Sequence, residues 1–192
     1  MLQTFLFFLK LGYYHVLDLD GLDHFYFFIV ISLPFTFKKG VQLLKWVTLF
    51  TLGHCLTLFL NYYFNISTDL YWIEALIPIT IMYSSAIIIF QNIGSSKKYR
   101  FKYFTMSTLF LGLIHGVGFG RYFNLLVQED SSFTSLLGFA FGIEVAQIII
   151  VSFVLVLNSF IIKFSEDKFI IWIRSGSCLI FILSLKMLFE RL

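Results

Sequence analysis

Leu136 to Ile162 reads LLGFAFGIEVAQIIIVSFVLVLNSFII, with Glu144 as its one ionisable side chain. At ~1.5 Å of rise per residue a helix of this length reaches about 40 Å. That exceeds the ~30 Å hydrocarbon core of a bilayer, where each backbone polar group must find its partner inside its own segment. Working outward, further apolar runs fall at Phe25 to Phe37, Trp46 to Phe64, Trp72 to Phe90, Phe101 to Phe119 and Phe169 to Phe189. The first is short, so its helix is expected to begin near Asp18 to Gly21 and to carry acidic residues into its first turn. Leu2 to Leu9 lacks a basic start and a small-residue cleavage site, and reads as a retained interfacial or half-inserted helix rather than a signal peptide. The fold class is therefore all-α: a polytopic membrane helical bundle of about six transmembrane helices plus that N-terminal helix, in a single integral membrane domain over residues 1–192.

Composition agrees. Hydrophobic residues make up 59% of the chain and charged residues 13%, where a soluble domain carries roughly a quarter charged. Mean hydropathy is +0.88. The net charge of +3 comes from short clusters between apolar runs, the pattern of loop anchors beside a lipid bilayer, so nucleic acid is excluded as a partner. Lys38, Lys39 and Lys45 fill one gap, Lys97, Lys98, Arg100 and Lys102 a second, Lys163 and Lys168 a third. The alternate gaps hold only Arg121, which places both termini outside. Cys55 and Cys178 stand in separate apolar segments and form neither a disulfide framework nor a paired-cysteine metal motif.

An ionisable side chain in hydrocarbon costs at least ~2.5 to 3.5 kcal/mol, so each one needs a partner or a task. The chain has four histidines, His15, His24, His54 and His115, and every one lies in or beside a span. The carboxylates nearest them in depth are Asp18, Asp20 and Asp23 before the first span, Glu74 early in the third and Glu144 within the fifth. Imidazole and carboxylate are ligands for first-row metals. His115 comes out ~21 Å up the fourth span and Glu144 ~12 Å down the fifth. Asp23, His24 and Glu74 begin helices at the outer face, so the whole set falls in the outer half of the bilayer, as a cavity open to the outside requires.

Gly112, Gly116 and Gly120 recur around His115, and Gly138, Gly142 and Ala146 around Glu144. These small-residue faces allow close helix approach, and the fourth and fifth spans are expected to meet there. Gln147, one turn beyond Glu144, would orient a ligand from behind, and Glu74 and Asp20 are placed in the same supporting shell. His15 and His24 would lie on opposite faces of a continuous helix at ~100° per residue, whereas a break at Gly21 lets His15 fold back beside Asp23 and His24. Weighed singly, an intramembrane histidine is more often a packing residue, Asp18 and Asp20 are more often solvated or capping, and Glu74 is as readily interfacial. Such groups on five helices at one depth are harder to explain by packing. The phenylalanines and tyrosines read mostly as lipid-facing or interfacial.

Gly12-Tyr13-Tyr14-His15, Asp23-His24, Thr51-Leu52-Gly53-His54, Glu74-Ala75-Leu76-Ile77-Pro78, the segment Gly112 to Phe119 and Gly142-Ile143-Glu144-Val145-Ala146-Gln147 together resemble the HupE/UreJ family, in order from Gly12 to about Gln147. The family's histidine followed by an Asp-His pair maps to His15, Asp23 and His24, although Val16 stands where the family has proline and the spacing is longer. The resemblance implies a six-helix protein of the bacterial inner membrane that acts as a permease for nickel or cobalt, with a metallochaperone or a metalloenzyme maturation protein as a downstream partner. His15, Asp23 and His24 would be the entrance ligands, and His54, His115 and Glu144 the deeper site. With no Walker motif, transport would be passive or driven by an ion gradient. The runner-up is a zinc-dependent membrane hydrolase of a lipid-like substrate, with Glu144 or Asp23 as general base. Haem held between His54 and His115, and a purely structural site, complete the alternatives.

Overall fold

The computed structural model describes residues 1–18, 22–64, 70–90, 101–127 and 131–192, with backbone alone for residue 70 and residues 101–107. Asp20, Gly21 and the basic run at 97–100 therefore lie outside the described residues. The elements are α1 (Leu2–Leu17), α2 (Asp23–Ser32), a short 3-10 turn (Phe37–Lys39), α3 (Gly40–Phe64), α4 (Leu70–Phe90), α5 (Phe101–Leu126), α6 (Ser132–Ile162) and α7 (Glu166–Arg191). No strand occurs among the described residues. Among the described residues, five helices, α3 to α7, are long and apolar enough to cross a membrane. The chain is a multi-pass membrane helical bundle.

The opening crossing differs from the expectation. α2 has 10 residues, about 15 Å, half of what a span needs. α1, expected as an interfacial or half-inserted helix, packs along α6, with Phe5 against Gly138 and, one turn further on both helices, Leu9 against Gly142. α1 and α6 therefore run parallel. α2 runs the same way: its first residue, Asp23, meets Arg191 at the end of α7, and its last carbonyls meet Asn158 near the end of α6. The two short helices thus make a single interrupted path. α1 ends at Leu17 and α2 begins at Asp23.

At its other end α2 stops after Ser32, which leaves its last carbonyls in need of donors. Asn158 supplies them: its Nδ2 donates to the carbonyls of Ser32, Leu33 and Phe35 at 3.0, 3.0 and 2.8 Å. Its Oδ1 in turn accepts from Trp172 Nε1 at 2.9 Å.

The small-residue faces are packing devices, but with other partners than expected. Gly112 and Gly116 on α5 back onto Phe50 and His54 of α3, whereas Gly138 and Gly142 on α6 back onto α1. Two tight parallel pairs, α3 with α5 and α1 with α6, take up the small-residue faces, and the helices of His115 and Glu144 meet instead through Phe139 against Phe119 and Phe123. The α3 and α5 backbones approach so closely that a Cβ on Gly116 would strike the His54 carbonyl oxygen, which fixes His54 and His115 in register. Between the pairs lies an aromatic core in which Phe27, Phe28, Phe50 and Phe139 are fully buried; Phe27, Phe28 and Phe50 pack on one another and Phe139 on Phe119 and Phe123, away from lipid.

Candidate metal centre

Four elements deliver one histidine each. His15 comes from the last turn of α1, His24 from the second position of α2, His54 from the middle of α3 and His115 from the middle of α5. One ligand nitrogen from each of His15, His24 and His54 lies within 4.8 Å of the others. The His24 ring is 4.7 Å from that of His15, 5.6 Å from His54 and 5.1 Å from His115, centroid to centroid. Two imidazole nitrogens on one first-row ion stand no more than about 4 Å apart, so the cluster is slightly wider than a loaded site. His24, His54 and His115 are at most 2% exposed.

Hydrogen bonds set which nitrogens are presented. His24 Nδ1 donates to Asp23 Oδ1 at 2.9 Å, and the same oxygen accepts from the His24 backbone N–H at 2.7 Å. His115 Nδ1 donates to the Leu111 carbonyl at 2.8 Å. Carboxylate and carbonyl oxygens carry no proton, so both Nδ1 atoms hold the hydrogen, and it is the Nε2 of each ring that is left toward the cluster. Those two Nε2 atoms, His15 Nε2 and both ring nitrogens of His54 are buried without a hydrogen-bond partner. An unpaired buried polar atom costs about 1–3 kcal/mol, and packing alone gives no reason to collect five of them at one point. The donor chemistry fits a metal ion.

The surroundings are apolar and aromatic. Phe119 lies 4.1 Å from the His15 ring, Phe139 stacks on Phe119 at 5.1 Å, and Phe50 is 5.1 Å from His115. A cavity of about 260 Å³ reaches the cluster, lined by His15, His24 and His115 together with Asp23, Glu74 and Arg191. It opens at the end of the bundle where α4 begins and α7 finishes. His54 does not line it and sits behind the other three.

The expected carboxylates have different places. Asp23 holds His24 through one oxygen, and its other oxygen faces Arg191 Nη2 at 3.3 Å, so it stands beside the histidine cluster and not within it. Glu144 does not meet His115. Its two oxygens accept from Thr48 and Thr51, both at 2.6 Å, and Gln147 Oε1 accepts from Thr51 Oγ1 at 2.9 Å rather than holding a histidine. α6 turns this polar face toward α3 because its small-residue face is taken by α1. Glu74 is exposed and lines the cavity. Arg191 was not singled out from the sequence, where it stands in a helix without a motif; the signal for it was a cation in the last turn of an apolar helix.

No curated protein and no solved structure matches this chain. A family profile does, described as HupE / UreJ protein and matching residues 1–191. The chain belongs to the HupE/UreJ family.

Proposed function

We propose that the protein is a permease for a divalent first-row transition metal, nickel or cobalt, and that His15, His24, His54 and His115 bind the ion in transit. The observation that carries this reading is the set of buried, unpartnered ring nitrogens converging from four helices. Imidazole suits these ions, and an all-nitrogen set without thiolate or direct carboxylate keeps binding reversible enough for release. Lys38, Lys39, Lys163 and Lys168 gather at the end opposite the cavity, so by the positive-inside rule the cavity faces out and the ion enters from outside. Asp23 serves as the partner that orients His24.

The hydrolase reading needs a carboxylate beside a metal-bound water. Asp23 is engaged by His24 and Arg191, and Glu144 by Thr48 and Thr51. Haem between His54 and His115 meets His24, whose ring lies within 5.6 Å of both.

The test is elemental analysis by mass spectrometry of detergent-purified protein after incubation with nickel, cobalt or zinc, wild type beside His54→Ala and His115→Ala. Near-stoichiometric nickel or cobalt that either substitution abolishes is expected. Protein that is folded yet free of metal in every sample would return the histidines to packing.

A further inference from the structure

Pro78 lies inside α4. Proline has no N–H to donate to the carbonyl four residues back, so the Glu74 carbonyl loses its helical partner. Arg191 fills the vacancy from another helix: its Nη1 donates to the Glu74 carbonyl oxygen at 3.4 Å, and its Nη2 pairs with Asp23 Oδ2 at 3.3 Å. The guanidinium thus bridges two oxygens at the mouth of the histidine cavity, with the Glu74 carboxylate lining the same space. Carbonyl and carboxylate oxygens are what a hard or partly hydrated divalent cation accepts as ligands.

We propose that Arg191 is a resident surrogate cation, holding an oxygen-lined outer station formed by Asp23 Oδ2 and the Glu74 carbonyl until an incoming divalent metal ion displaces it. The inference rests on the permease reading and adds a regulated step ahead of the histidines. Three observations support displacement over a fixed clasp. Both contacts are long beside the ~2.7–2.9 Å of a firm charge-assisted bond. Arg191 is 22% and Asp23 13% exposed at the side chain, so the pair is reachable from the cavity. Arg191 also lines a neighbouring open cavity of about 370 Å³ beside Lys186, Met187 and Glu190, which gives the guanidinium a place to swing into near the Glu190 carboxylate that Lys186 meets at 3.4 Å. An ion and the guanidinium cannot hold the same two oxygens, so the arginine competes with the ion and its removal tightens binding.

The experiment is calorimetric titration of the purified full chain in detergent with Co(II), comparing wild type, Arg191→Gln and Pro78→Ala. Alanine at position 78 restores the helical donor to the Glu74 carbonyl and loosens the arginine without removing it. Arg191→Gln is expected to bind Co(II) about tenfold more tightly, within the range usual for coupled sites, and Pro78→Ala by a smaller factor in the same direction. Wild type that binds while Arg191→Gln binds equally or less well would overturn the surrogate-cation role and leave the permease reading standing. Should Arg191→Gln not fold, Pro78→Ala decides alone: tighter binding supports the displacement, unchanged or weaker binding overturns it. Absence of Co(II) binding in all three proteins would overturn the metal reading and this inference together.

Discussion

At the scale of single residues, two of the four histidines are set by what they do with their second nitrogen. Asp23 and the Leu111 carbonyl take the Nδ1 hydrogens of His24 and His115 and turn their Nε2 atoms inward. A partner that fixes a ligand's tautomer is typically worth 10–100-fold in metal affinity, so Asp23→Asn is expected to weaken Co(II) binding by about that factor while the protein stays folded, read by the same titration with circular dichroism as the control. The histidines themselves were legible in the sequence, because an ionisable group inside an apolar run is costly and draws attention. The role of Asp23 was not, since sequence places it beside His24 without saying which atom it faces. Glu144 was given the right neighbourhood and the wrong partner. Depth follows from counting residues along a helix, but the direction a side chain faces depends on which helices pack against it, and Thr48 and Thr51 came from a helix the counting did not pair with it.

At the scale of elements, the small-residue faces could be read as contact surfaces from their spacing, whereas their partners could not, because any small face suits any close helix. The structure makes the distinction testable. An added Cβ at Gly116 strikes the His54 backbone, while at Gly40 the nearest atom is Leu155 Cδ1 at 3.8 Å. Gly116→Ala is expected to cost about 1–3 kcal/mol by overpacking, lowering the melting temperature by several degrees and moving His54, so that metal binding falls as well. Gly40→Ala is expected to stay within about 0.5 kcal/mol of wild type. Thermal unfolding followed by circular dichroism separates them. The interrupted crossing was the element least visible in the sequence. A search for apolar runs rewards continuity, and α1 and α2 are each too short to score as a span.

At the scale of the whole molecule, orientation is the property that sequence predicts and helix packing alone leaves undecided. With the cavity facing out, a cysteine at Leu125, which is 79% exposed near the end of α5, is expected to react with a membrane-impermeant maleimide on intact cells. A cysteine at Lys163 is expected to react only after permeabilisation, both in a background lacking Cys55 and Cys178. The reverse pattern would turn the cavity inward. Beyond orientation, the Asn158 amide has a mechanical consequence. It rivets the far end of α2 to α6 through three carbonyls and to α7 through Trp172, whereas the near end hangs on the long Asp23 to Arg191 pair. A rod pinned at one extremity swings more readily than it slides, so a movement that parted His24 from the other imidazoles would pivot about that pin, widest at His24 and smallest at the amide.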